Sequence, residues 1–298
     1  MKLSQAATIV EKAINFALDL SDGRDAQYIV PYLIGGAGLG KTTLVKDATQ
    51  RVAAHRGTDM QCNILSLAQY DPAEIAGWLV PNDDRTKMNR IRPDWMPEEG
   101  TSGILFLDEL PQATTACQNI AAQIVNERRV GPWHMPKGWA IVAAGNRMSD
   151  RAGTNNMPSH LKDRLMFLEV EADLEDTVAY YYANGVDERV SAYLRFRPEW
   201  LHRFDKDANA CPSPRSWERV GSILAWDLGP VEQLEAIAGQ VGRAASAEFA
   251  GFLAVYEDVP SIPELVANHD EAVVTDRPDV LFAVCAVLAT YATEKKKK

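Results

Sequence analysis

The chain has 298 residues, of which 46% are hydrophobic and 24% charged, with a formal net charge of −10. That apolar content supports one large core or two smaller ones. The acidic balance excludes a protein that wraps duplex DNA regardless of sequence, since that needs a basic surface. Cys62, Cys117, Cys211 and Cys285 are scattered without a C-x-x-C pair. They read as buried thiols of a reducing compartment, and the histidines show no zinc spacing.

In chain order, Leu3, Ala7, Val10, Ile14, Ala17 and Leu18 recur at helical spacing, and this first helix is expected to end near Ser21-Asp22-Gly23. Because Met1 to Leu20 is amphipathic rather than apolar, no signal peptide is expected. Tyr28 to Ile34 reads as a buried strand and Thr43 to Val52 as a helix. Between them stands Gly35-Gly36-Ala37-Gly38-Leu39-Gly40-Lys41-Thr42, which fits G-x-x-x-x-G-K-[ST], the phosphate-binding P-loop. Its glycines let backbone N–H groups turn inward around a phosphate, and the positive end of the next helix adds attraction. Lys41 is positioned to reach the β- and γ-phosphates and Thr42 to hold Mg²⁺, with Thr43 following in the first turn.

Cys62 to Leu67 reads as a second strand. Residues 71–100 form an insert too long for a plain loop, with Trp78 and Trp95 beside Arg85, Lys87, Arg90 and Arg92. Such a segment can bind single-stranded nucleic acid, engage a protein surface, or only solvate a loop. Gly103 to Leu107 is a buried strand ending in Asp108-Glu109. Asp108 can hold Mg²⁺ and Glu109 can act as general base toward water, although two acids opening a helix would also suit the dipole. Ala113, Cys117, Ile120 and Ile124 mark the next helix. Val130 to Trp139 looks like a hairpin, whose Trp133 and Trp139 either face outward or pack the sheet edge. Ala140 to Ala144 is a fourth strand ending at Gly145-Asn146, and Leu165 to Val170 is a fifth. Asn146 can position water or touch a phosphate, or simply form a turn.

Strands that alternate with helices and read as continuous apolar runs predict an α/β fold with a parallel sheet, and ligands then bind at the carboxyl ends of its strands. Beyond residue 172 the strand signals stop. Helices are expected over Leu174–Ala183, Pro214–Leu228, Val231–Val241, Ala244–Tyr256 and Val280–Ala292. The last is the longest apolar run and is too short to cross a bilayer. A soluble, cytoplasmic protein is expected, with an α/β domain over residues 1–172 and a helical domain over 173–298. Lys295 to Lys298 read as a solvated tail or as partners of the last helix's negative end.

The ordered set GGAGLGKT, ILFLDE, AAGN, LKDRL and PSPRSWERV resembles the AAA+ ATPases over nearly the whole chain. The resemblance implies a P-loop NTPase with a five-stranded parallel sheet in the order 5-1-4-3-2, followed by a helical lid. It implies that Gly35, Gly36, Ala37, Gly38, Leu39, Gly40, Lys41, Thr42 and Thr43 hold ATP, and that Thr42 and Asp108 manage Mg²⁺. It further implies Glu109 as the catalytic base and Asn146 as sensor 1. Arg164 matches the arginine finger that acts on a neighbouring subunit, with Lys162, Arg147 and Arg151 as nearby rivals. The family usually has Arg-Phe there, and this chain has Arg164-Leu165. Arg215 matches sensor 2 in the lid. A finger supplied in trans implies a homo-oligomeric ring, a hexamer. The insert's position and Pro97-Glu98-Glu99-Gly100 resemble the helix-2-insert branch and its MoxR-type members, which remodel protein partners, commonly ones bearing a von Willebrand factor A domain. A DNA-processing motor or loader on the same core is the alternative.

Overall fold

The computed structural model describes residues 1–20, 28–147, 155–257, 280–281 and 284–285. It divides into two compact units, Met1–Glu171 and Ala172–Lys298. Two long helices and their strands open the first unit: α1 (Leu3–Asp19), β1 (Val30–Ile34), α2 (Lys41–Arg56) and β2 (Gln61–Ser66). Then come α3 (Pro72–Ala76), the strands β3 (Trp78–Pro81) and β4 (Met88–Ile91), β5 (Gly103–Asp108) and α4 (Thr115–Glu127). The short β6 (Arg129–Val130) and β7 (Trp133–His134), β8 (Trp139–Gly145), α5 (Ser159–Lys162) and β9 (Leu165–Glu169) complete it.

β2, β5, β8, β1 and β9 lie side by side in that order, all parallel. Counted by chain position among the five, and read from the β9 edge, this is 5-1-4-3-2, as the sequence resemblance implied. The burial of each strand follows from its place. β8 is buried at every position and β5 at all but its last, because helices cover both faces of a central strand. The edge strands β2 and β9 are only partly buried. A stripe of Ala6, Val10, Ala13, Ile14, Ala17 and Leu18 seats α1 on this core. Arg51–Glu11 (2.6 Å) and Arg56–Asp19 (2.7 Å) also tie α2 to α1, and such exposed pairs add about 0–1 kcal/mol each.

The register aligns the carboxyl ends of the strands: Ile34 with Gly145 and Glu169, and Ser66 with Asp108. After β1 the chain crosses to the far edge, so the loop following β1 opens onto a crevice at a switch in strand order.

Residues 71–100 have structure of their own, in α3 and the antiparallel β3–β4 hairpin, which pairs Trp78 with Ile91 and Leu79 with Arg90. The second hairpin is β6–β7. Its Trp133 is buried, as is Trp139 at the start of β8, so both rings pack rather than face outward. Trp139 is fully buried, and its indole N–H reaches Thr101 O (3.0 Å) and Oγ1 (3.1 Å).

The second unit is helical as described: α6 (Leu174–Asn184), α7 (Glu188–Phe196), α8 (Pro214–Ile223), α9 (Pro230–Val241) and α10 (Arg243–Glu257). Tyr193, Trp217, Phe249 and Phe252 form an aromatic core with edge-on and tilted contacts at 5.0–5.6 Å. Two elements depart from expectation. α7 carries no long helical pattern but is started by the Asp187 side chain, which accepts from Arg189 N. α8 stops at Ile223 rather than Leu228, since Trp226 and Leu228 are exposed and give no reason to extend it. The expected end of the first helix at residues 21–23 and the Lys295–Lys298 tail lie outside the described residues, as does most of Val280–Ala292.

Trp139→Ala should lower stability by about 3–5 kcal/mol. Trp139→Phe, which keeps a ring but gives up both acceptors, should lose about 1–2 kcal/mol. Urea unfolding midpoints measure both.

Candidate nucleotide site

The loop after β1 is shaped by steric necessity. A Cβ on Gly35 would stand 2.6 Å from the Val170 carbonyl oxygen and 3.0 Å from Leu39 Cδ1, so only glycine fits. Gly38 (φ 76°) and Gly40 (φ 89°) take left-handed backbone, where side chains are strained. Gly40 also starts α2 without a side-chain cap, and no acidic residue occupies the first turn. By contrast α4, α6, α7 and α8 are capped by Thr114, Asp173, Asp187 and Ser213. The start of α2 therefore keeps its positive end for an anion.

Lys41, 8% exposed, donates to Gly35 O (2.9 Å), Gly36 O (2.8 Å) and Asn146 Oδ1 (3.0 Å). A buried ammonium needs such acceptors. The bond to Asn146 also joins the phosphate loop to the end of β8. Thr42 Oγ1 donates to Asp108 Oδ2 at 2.9 Å, joining the same loop to the end of β5.

Asp108 Oδ1 accepts from the Glu109 backbone N–H at 2.9 Å. Glu109 itself adopts left-handed backbone (φ 56°, ψ 31°), a conformation that costs a non-glycine residue about 1 kcal/mol or more. This turn swings the chain off the strand, and Gln112 N closes it onto Glu109 O at 3.0 Å. Pro111, next in the turn, packs so closely on Gly145 that a Cβ there would collide with its ring. The Glu109 turn and the strand end bearing Asn146 are thus locked together. The acids do not cap a helix, and the Glu109 carboxylate has no hydrogen-bond partner among the described residues. No spacing in the sequence signalled the Pro111–Gly145 contact.

The fold is that of a P-loop NTPase, a five-stranded parallel sheet in the order 5-1-4-3-2 with the phosphate loop after its first strand.

No family model and no curated protein matches the chain. Solved structures that resemble it include Thermotoga maritima RuvB, the Holliday junction branch migration motor. That match has 15% identity and a TM-score of 0.41 over 87% of this chain and 76% of that one. A variant of the same RuvB gives 15% identity and a TM-score of 0.43 over 93% and 87%. NtrX from Brucella abortus gives 16% and 0.36 over 80% and 65%.

The structure brings together Gly35 to Thr43, Asp108, Glu109 and Asn146 at one end of the sheet. Thr42 and Asp108 present hard oxygen donors, which suits Mg²⁺. No set of three or more His, Cys, Asp or Glu among the described residues could hold a metal alone.

The basic residues around β9 fall in different places. Arg147 donates to Val170 O and Glu171 Oε1 (3.3 Å each), with its Nε 3.3 Å from Glu169 Oε1, so it is committed to the end of β9. Nothing in the sequence pattern announced that tie. Lys162 and Arg164 are exposed, and Arg151 lies outside the described residues. Because Leu165 pairs with Val30, Arg164 sits at the amino end of the sheet, whereas the phosphate loop is at the carboxyl end. Five residues of strand at about 3.3 Å each separate them by roughly 16 Å, beyond the reach of an arginine side chain. Arg215 is exposed in the first turn of α8, in the second unit, where a cation gains nothing from the helix dipole. Among the described residues, no helix is long and apolar enough to cross a membrane.

Lys41→Ala should weaken MgATP binding ten-fold or more, about 1.4 kcal/mol at least. In Asp108→Asn the gain in affinity that Mg²⁺ gives the unaltered protein should shrink toward nothing. Titration of a fluorescent ATP analogue with and without chelator reads both.

Proposed function

We propose that this protein is a Mg²⁺-dependent ATPase that works as a ring of identical subunits, a hexamer, and uses hydrolysis to remodel a protein partner in the manner of MoxR-type AAA+ proteins. The observation that carries the reading is the convergence of Lys41, Thr42, Asp108 and Asn146 through bonds of 2.9–3.0 Å at one end of the sheet. An incoming γ-phosphate replaces the acceptors that Lys41 now holds. Backbone N–H groups of Gly36 to Lys41 take the remaining phosphate oxygens.

Thr42 and Asp108 would hold Mg²⁺, which would supply charge neutralisation to the phosphates. The Glu109 carboxylate, aimed by its left-handed turn, accepts a proton from water as the water oxygen bonds to the γ-phosphorus. The bond from that phosphorus to the bridging oxygen breaks, leaving ADP and phosphate. The Asn146 amide orients the water, and Arg215 is the lid's sensor of the nucleotide. Arg164 stabilises the transition state in the neighbouring subunit, since its place at the amino end of β9 removes it from its own site. The chain's formal net charge of −10 favours a protein partner over nucleic acid. A protein with a von Willebrand factor A domain is the partner that the MoxR resemblance favours.

Glu109→Gln should retain nucleotide affinity within about two-fold and lower steady-state turnover by about 10²–10⁴. Lys41→Ala and Arg164→Ala subunits, each inactive alone, should regain part of their turnover when mixed. Intact assembly with no recovery at any ratio would remove Arg164 from the trans role.

A further inference from the structure

The β3–β4 hairpin and the β6–β7 hairpin flank an open groove of about 390 Å³. Met96 and Trp133, both buried, and three prolines line its floor. Its charged groups are Arg90, Arg92 and Glu99, and the ring of His134 also lines it. Arg92 is exposed and pairs with no described residue. Arg90 spends one guanidinium nitrogen on Ala76 O (2.6 Å) and Gly77 O (3.4 Å), and its other donors have no described acceptor. Two guanidinium groups thus stand against a single carboxylate over an apolar floor.

The surface continues along the hairpin. Cross-strand partners share a face, as do residues two apart on a strand. Leu79 pairs with Arg90, and Met88 lies two residues from Arg90, so both stand on the side of the sheet that meets the groove. Both are more than half exposed, at 53% and 57%. A two-stranded hairpin is at best marginally stable alone in water, so apolar residues presented this way gain from being covered.

We infer that this groove is a docking site for an extended, acidic segment of a partner protein, with apolar side chains on the floor and the Leu79–Met88 ledge and carboxylates on Arg90 and Arg92. Charge complementarity favours this occupant over a basic one, including the chain's own Lys295–Lys298. Single-stranded nucleic acid is disfavoured in the groove because Trp133, which lines it, is 8% exposed and offers little ring for a base to stack on, and the exposed Trp78 lies on the opposite face of the hairpin from Leu79. The inference deepens the reading of a protein partner, but occupancy of the groove does not require hydrolysis.

Fluorescence anisotropy of the full chain tests it, with three labelled probes at physiological salt. One is an octapeptide alternating Asp and Leu, another an octapeptide alternating Lys and Leu, and the third an oligothymidine. The acidic peptide should bind at least about ten-fold more tightly than either of the others. Arg92→Glu should cost it about ten-fold and Met88→Ser a few-fold. Both residues are exposed, so binding of a fluorescent ATP analogue should not change. Equal binding of the two peptides, tighter binding of the oligothymidine, or insensitivity to Arg92→Glu would each overturn the inference. Because turnover is measured separately, loss of peptide binding with turnover intact sinks only the groove. Peptide binding without any turnover sinks only the ATPase reading.

Discussion

Thr42 and Asp108 stand 66 positions apart in the chain, and their side chains meet at 2.9 Å. That contact, with Lys41 on Asn146, is the constraint on which the rest of the molecule depends. It requires β1, β5 and β8 to run parallel with their carboxyl ends level, and the register provides that alignment within one residue. Central strands so placed are covered on both faces, which demands the uninterrupted apolar runs of β5 and β8. The polar residues that do chemistry are thereby confined to strand tips, where the chain leaves the core.

The tips are held as well as placed. Gly35 lies against the Val170 carbonyl, Pro111 against Gly145, and Arg147 across Glu169, Val170 and Glu171. Each contact joins two different strand ends. Glu109 can remain in a left-handed conformation because Leu110 and Pro111, directly after it, are buried. The strain at Glu109 is therefore offset by packing rather than by any hydrogen bond of its own carboxylate, whose oxygens stay available to a substrate water.

Away from this pocket the first unit presents a different surface. The two hairpins project apolar and basic side chains that the core does not use, around a floor of buried tryptophan and proline. The proposed nucleotide site and the proposed docking groove thus fall on separate parts of the first unit, each on loops mounted on a rigid sheet.

The P-loop glycines, Lys41, Thr42 and the Asp108-Glu109 pair were legible in the sequence, because each is a local pattern: a steric need, a spacing, or a run of apolar residues ending in acids. The sheet order came only from the resemblance of the whole motif set. Arg164's rivals could not be sorted that way. Only the pairing of Leu165 with Val30 sets Arg164 at the far end of the sheet, and only the fold gives Arg147 its carboxylates. The insert's aromatic residues were equally undecided, since Trp78 is 61% exposed and Trp95 is 7% exposed in the same short segment. Burial depends on what arrives from elsewhere in the chain, here the ring of Trp133 at 5.9 Å. Sequence alone thus marked the candidate nucleotide-site residues, since the patterns that mark them are local. Tertiary structure decided which of them share one end of the sheet and which lie at the other, since strand register and packing bring together residues distant in the chain.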